Sequence, residues 1–193
     1  MPPTTRPASF PADHPTVTTL FLAYAASLPI RLDFQGFEHE LAGLPGKFAQ
    51  EKRGALFLAY APSVSDPDSD ANSGAANGHV TNEHASADAE ADADVNADAS
   101  KSIGCVALRP FAPPDVCELK RLYVVPSARG TGAARALMEV ILQRARELGY
   151  REVLLDTLAS MTAARRLYEG FGFVETGKYY ESVEGAVFYR LVL

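Results

Sequence analysis

The stretch Glu118-Leu119-Lys120-Arg121-Leu122-Tyr123-Val124-Val125-Pro126-Ser127-Ala128-Arg129-Gly130-Thr131-Gly132-Ala133-Ala134 decides how the chain folds. Val116 to Val125 is rich in apolar and β-branched residues and reads as a strand, which Pro126 closes. Ala133 to Leu148 has Leu137, Val140, Ile141 and Leu148 at helical spacing, with Gly149 to end it. A strand therefore feeds a glycine-rich turn that opens a helix. Unpaired N–H groups and the positive end of the helix dipole converge there, so the turn is prepared to hold a phosphate or pyrophosphate. Gly130 and Gly132 allow close backbone approach and dihedrals that a side chain would forbid.

Three kinds of anion site share this plan. A Walker A loop ends in Lys followed by Ser or Thr, which this turn lacks. A dinucleotide fingerprint needs a third glycine where Arg135 stands, inside a parallel βαβ unit. What remains is Arg-x-x-Gly-x-Ala, from Arg129 to Ala134.

Working outward, Ile103 to Arg109 precedes a turn containing Pro110, Pro113 and Pro114, and with Val116 to Val125 predicts an antiparallel hairpin. Val153 to Thr157 is a short buried strand, Thr162 to Phe171 a helix, and Val174 to Lys178 with Ala186 to Val192 a last strand pair. Upstream, Thr16 to Leu28 predicts an amphipathic helix from Val17, Leu20, Phe21, Tyr24 and Leu28. A shorter helix is expected from Gln35 to Leu44, with His39 solvated on it. Ala55 to Tyr60 is a strand. The order predicts a mixed α/β domain built on one sheet.

Between Ser63 and Ser100 the composition changes to Ala, Asp, Asn, Ser and Gly, with nine acidic residues and no Lys or Arg. It has too little apolar surface to offset its ordering entropy, so a disordered insertion is expected over 63–100 within a single domain of residues 1–193. The formal charge of −6 averages two unlike parts, because the rest carries 15 acidic against 18 basic residues, or +3. A mildly basic remainder suits a small anionic ligand and lacks the strong basic stripe expected for nucleic acid. There is no apolar run long enough to span a bilayer and no leader pattern, which predicts a cytoplasmic protein that does not engage membranes. Cys105 and Cys117 sit in strand-like apolar surroundings without metal-ligand or Cys-x-x-Cys spacing, so they read as reduced core thiols and no metal is expected.

The Arg129 to Ala134 pattern resembles the acyl-CoA signature of the Gcn5-related N-acetyltransferase (GNAT) family. Ala164-Arg165-Arg166-Leu167-Tyr168-Glu169-Gly170-Phe171-Gly172-Phe173 is similar to that family's Ala-x-x-Leu-Tyr-x-x-x-Gly-Phe segment. Leu155-Asp156-Thr157-Leu158 and the Tyr179-Tyr180 pair resemble a poorly characterised subfamily. The likeness runs from about Ile103 onward and implies a single mixed, mostly antiparallel central sheet flanked by helices. One position departs: where the family often has Asn before the alanine at 164, Met161 stands, and the contact with the cofactor arm is lost or taken over by Ser160.

Leu119, Leu122 and Val124 read as core-facing, yet 119 and 122 differ by three, which breaks strand alternation. A β-bulge at Lys120 to Leu122 restores it, whereas a strand buried on both faces would need none. In the resembled family such a bulge parts the strand from its neighbour and admits the cofactor arm.

The resemblance implies acetyl-CoA as acyl donor, held by Leu122, Tyr123, Val124, Arg129, Gly130, Thr131, Gly132, Ala133, Ala134 and Arg135. Arg129 and Arg135 are also readable as ordinary surface charge. Tyr168 is implied near the sulfur as proton donor to the thiolate or as a hydrogen-bond donor without full transfer, or else packs on the cofactor arm. Glu118 is implied as base, with a solvated strand-end carboxylate as the alternative; Asp156 is a second base, an amine-recognition group or a turn cap. Tyr179 and Tyr180 with the early helices shape the acceptor side. The expected acceptor is a small-molecule amine or a protein or peptide amine, and a homodimer is one assembly left open. No His, Ser or Cys is arranged for covalent catalysis, so direct attack in a ternary complex is expected. A non-catalytic acyl-CoA sensor is the competing reading.

Overall fold

In a computed structural model the residues described are 2–30, 36–62 and 102–193, so the expected insertion over 63–100 lies outside them. Their elements are β1 (Thr4–Pro7), α1 (His14–Ala26), α2 (Phe37–Ala42), β2 (Ala55–Tyr60), β3 (Ser102–Phe111), β4 (Val116–Val124), α3 (Ala133–Glu147), β5 (Glu152–Leu158), α4 (Thr162–Gly170), β6 (Val174–Thr176) and β7 (Ala186–Val192). The strands form one sheet in the order β1-β2-β3-β4-β5-β7-β6. Every neighbouring pair is antiparallel except β4 with β5.

Three details differ from the sequence reading. α1 starts at His14, before Thr16, because Pro15 fits the first turn, where a missing N–H costs nothing. Asp13 fixes the approach to that helix: its carboxylate accepts from Arg6 at 2.6 and 2.9 Å and from the Ser9 N–H at 2.6 Å. α2 covers Phe37–Ala42, shorter than the expected Gln35–Leu44, and residues 31–35 lie outside the described set. β1 was not foreseen, since Thr-Thr-Arg-Pro has no apolar alternation; as an edge strand it tolerates Pro7.

Both faces of the sheet are covered. On one, Leu137, Met138, Ile141, Leu142 and Ala145 of α3 pack with Val106, Leu108, Cys117, Leu119, Val153 and Leu155. On the other, Val17, Leu20 and Phe21 of α1 pack with Phe37, Phe48, Leu56, Leu58, Cys105 and Tyr123. A fully buried side chain of this size contributes about 1.5–3 kcal/mol, so the two layers fix the sheet between them.

Two features of β4 create the site. Cys105 pairs with Tyr123 but Ala107 pairs with Lys120, so Arg121 and Leu122 together oppose Val106 as a β-bulge, with Arg121 at φ +58°. The parallel pairing of β4 with β5 is confined to Val116–Glu118 against Glu152–Leu154. Beyond it the two strands part. Gly104 sits against the bulge, where a Cβ would lie 2.5 Å from the Tyr123 carbonyl oxygen, so only glycine lets β3 approach there.

Candidate functional site

The parted strands enclose a cleft of about 630 Å³. One wall is the β4 backbone from Leu119 to Val124; its end is the turn before α3; the opposite wall is Asp156, Thr157, Met161 and Tyr168; and Tyr24 of α1 closes one side. Leu122, Tyr123, Val124, Arg129, Gly130, Gly132, Ala133, Ala134 and Arg135 all line it, as does Asp156. Of the residues assigned to the cofactor, Thr131 alone is outside the lining, and its hydroxyl donates to the Ala128 carbonyl at 2.7 Å, tying the turn together.

The turn owes its shape to its glycines. Gly130 has φ +80° and Gly132 φ +92°, and nothing lies within 4 Å of where either Cβ would be. Gly132 is the N-cap of α3 and no side chain caps it, so the first N–H groups of the helix have no intrahelical partner and face an open cradle. Arg129 Nε donates to the Val124 carbonyl at 3.4 Å. Arg135 pairs with Glu139 at 2.9 Å and lies over the Phe171 ring at 5.4 Å, exposed enough to swing toward an anion.

Tyr168 is 6% exposed, its ring against Phe173 and Tyr189. Burial, with smaller contributions from nearby Tyr24 and Asp156, pushes its phenol above the ordinary tyrosine range, so it stays protonated at neutral pH.

Glu118 is not a solvated strand-end carboxylate: it is fully buried and is not among the residues lining the cleft. Its oxygens accept from Arg109 Nε at 2.7 Å, Lys120 Nζ at 3.0 Å and the Tyr179 hydroxyl at 3.1 Å. Lys120 continues the chain to Asp156 Oδ1 at 2.7 Å and the Tyr180 hydroxyl at 2.9 Å. Tyr179 and Tyr180 stack edge to face with each other and with Phe188, behind the cleft wall. Burial first, and the adjacent carboxylates second, raise both phenols. A second buried group joins α2 to the bulge: Arg121 donates to Glu40 Oε1 at 2.6 Å, and Lys47 reaches the other oxygen. Burial opposes the charged form of Glu40, but these two cations outweigh it and hold the carboxyl below its usual range.

Sequence reasoning missed Lys120, Arg121, Glu40 and Lys47. Glu118 and Lys120 share a strand face by alternation, which was a usable signal for the first; the Arg121–Glu40 contact joins residues 81 apart and left none. Among the described residues, no group of three or more His, Cys, Asp or Glu could hold a metal, and no helix is long and apolar enough to cross a membrane.

Comparison with known proteins gives this geometry a setting. The model of the Acetyltransferase (GNAT) family matches residues 62–173. An uncharacterized N-acetyltransferase of Dictyostelium discoideum is 40% identical over 186 residues, 85% of this chain and 86% of that protein. One from Schizosaccharomyces pombe is 44% identical over 91 residues, and N-acetyltransferase 8B of Mus musculus is 39% identical over 94. Those two matches cover 47% of this chain each, but 56% and 39% of the relatives, so the chain spans about half the length of these curated proteins. Among solved structures, a GNAT acetyltransferase of Staphylococcus aureus superposes with a TM-score of 0.66 at 13% identity, over 97% of both chains. The Salmonella typhimurium protein yncA, solved with its cofactor acetyl-CoA, superposes with a TM-score of 0.63 at 15% identity, over 100% of this chain and 94% of that one. At such identities these two show the fold, a mixed and mostly antiparallel sheet flanked by helices. The family match over residues 62–173 and the long Dictyostelium alignment establish that the chain belongs to the GNAT family of N-acetyltransferases.

Proposed function

We propose that this chain moves an acetyl group from acetyl-CoA to an amine by direct attack with both substrates bound. The observation that carries the reading is the opening between β4 and β5, which runs from a bare glycine turn at a helix N-terminus to a buried phenol. A pyrophosphate suits the first N–H groups of α3, with Arg129 and Arg135 beside it. A peptide-like arm suits the edge of β4 from Leu122 to Val124 that β5 leaves unpaired. At the other end, burial makes Tyr168 keep its proton at neutral pH, so it donates a hydrogen bond to the departing sulfur and yields the proton only to a thiolate that the same burial has made more basic still.

The amine needs a group to take its proton, and the geometry favours Asp156 over Glu118. Asp156 is in the cleft wall; Glu118 is behind it, engaged by Arg109, Lys120 and Tyr179. In this reading Glu118 is a positioning residue that fixes Lys120, and Asp156 accepts the proton directly or through water. The acceptor, a small-molecule amine or a protein or peptide amine, would enter beside Tyr24 and the α1–α2 layer, with Tyr179 and Tyr180 as the support of that wall.

Met161 gives a second reading its basis. It lines the cleft where the family pattern often has Asn, and its sulfur accepts a 3.6 Å contact from the Thr157 hydroxyl. A chain that bound the acyl donor but did not turn it over would be a sensor. Calorimetric titration with acetyl-CoA, followed by thiol release over a panel of amines, separates the two. Binding with release is expected; binding without release across small amines and peptides favours the sensor, and no binding overturns both.

A further inference from the structure

We propose that Lys120 is itself an acceptor: the chain acetylates the Nζ of its own Lys120 from bound acetyl-CoA. This rests on the acetyl-transfer reading above. The cleft of an amine acetyltransferase must offer an ammonium group partners that hold it and take its proton. In this structure those partners are present and already satisfied by a side chain of the protein. Lys120 has three N–H donors, and they meet Asp156 Oδ1 at 2.7 Å, Glu118 Oε1 at 3.0 Å and the Tyr180 hydroxyl at 2.9 Å. The Tyr180 ring adds a cation–π face at 5.2 Å. Lys120 and Asp156 both line the cleft that contains Tyr168, and Lys120 immediately precedes the bulge residues Arg121 and Leu122, along which the acyl donor is placed.

Here the pair leaves a primary amine and a carboxylate together in the reaction cleft. Asp156 takes a proton from the Nζ ammonium. The Nζ lone pair then forms the bond to the thioester carbonyl carbon, the carbon–sulfur bond breaks with its electron pair going to sulfur, and the thiolate takes a proton from Tyr168. The second Nζ proton reprotonates the Tyr168 phenolate and Asp156 gives its proton to water, so both return to their starting forms and the products are an amide at Lys120, free CoA thiol and one released proton. Neither an oxidant nor a metal is required.

The location makes the reaction distinguishable from chemical acetylation by the reagent in solution. The Lys120 side chain is only 8% exposed, against 33% for Lys47 and 47% for Lys178. Uncatalysed transfer favours the exposed amines.

The test is intact-mass and peptide-mapping mass spectrometry of the full chain incubated with acetyl-CoA, with calorimetry on the same sample. The expected result is one acetyl group per chain on Lys120, formed with a first-order rate constant unchanged by about tenfold dilution. The adduct is suppressed by saturating acceptor amine and missing in Gly132→Asp, in which the phosphate turn is blocked. Acetyl-CoA binding with Lys120 unmodified, or with adducts confined to exposed lysines, overturns the proposal and leaves the transferase reading standing. Absence of binding overturns that reading, and this proposal with it.

Discussion

The two faces of the sheet are built by different means. The α3 face is an apolar cluster running from Ala55 to Tyr189 and ends in a turn that leaves the first N–H groups of a helix without a side-chain cap. The α1–α2 face also has an apolar cluster, but around the cleft it is held by charges, some buried and some half-buried: Arg109, Glu118, Lys120 and Asp156 in one network, Arg121, Glu40 and Lys47 in another. In the function proposed above, the backbone cradle takes what every substrate pair shares, the phosphates of the donor, and the side-chain networks face what differs, the acceptor. The comparison predicts that damage to the first face removes donor binding with little cost in stability, while damage to the second destabilises the protein and leaves the turn intact.

The largest expected effect is at the turn. Gly132→Asp places a side chain at φ +92° and an anion against the phosphates. Acetyl-CoA affinity should fall by more than about 1000-fold, about 4 kcal/mol. Because nothing lies within 4 Å of the new Cβ, the melting temperature should move by only a few degrees, reflecting a left-handed backbone cost of about 1–2 kcal/mol. Calorimetry and a thermal melt on one preparation check both halves; unchanged affinity would remove the phosphate assignment.

Next is Glu118→Ala, which should reverse that pattern. It leaves Arg109 and Lys120 facing a void in a fully buried position, and breaking a buried pair costs about 3–5 kcal/mol. Urea unfolding should show this loss, with donor affinity changed less than about threefold in the protein that stays folded. Arg135→Ala, which breaks the exposed pair with Glu139, should change stability by less than about 0.5 kcal/mol. Equal stabilities of the two variants would mean that the buried network carries no more than surface charge.

The same contrast explains what could be read from the sequence. The turn, α3 and α4 announce themselves locally: glycine spacing, helical periodicity and Gly149 are all short-range signals. The bulge was legible for a related reason, since the step of three from Leu119 to Leu122 breaks an alternation that can be counted. The charged wall of the cleft was legible only in part. Tyr179, Tyr180, Asp156 and Glu118 were named, but not that Lys120 links them, nor that Glu118 stands behind the wall. Which carboxylate meets which cation depends on where β5, α2 and the segment after β6 come to rest, and no local pattern encodes that.

Tyr168→Phe tests where the faces meet. Removing the hydroxyl while keeping the ring should lower turnover by about 100-fold, about 2.7 kcal/mol, because the departing thiolate loses its donor. Donor affinity should be unchanged, since the ring contacts with Phe173 and Tyr189 remain. Equal turnover in both forms would reduce Tyr168 to packing. Burial raises the Tyr168 phenol, so the wild-type rate should show no loss of its acid up to the ordinary tyrosine range near about pH 10.

The smallest effect, and the one that separates the faces most directly, uses the two thiols. Cys117 belongs to the α3 cluster and Cys105 to the α1–α2 cluster, and burial pushes each up to about 12. At pH 8 only about one in ten thousand of each is thiolate, the form that reacts, so the folded protein should be inert to alkylation. As urea rises, each thiol becomes reactive when its own layer opens. The α1–α2 cluster is the smaller of the two among the described residues, and the charges around it lose less when hydrated than apolar surface does. Cys105 should therefore label at a lower urea concentration than Cys117, as read by peptide mapping of quenched samples. Cys117 labelling first would mean that the turn and α3 are the weaker layer. Simultaneous labelling would mean that the two faces, though differently built, unfold as one unit.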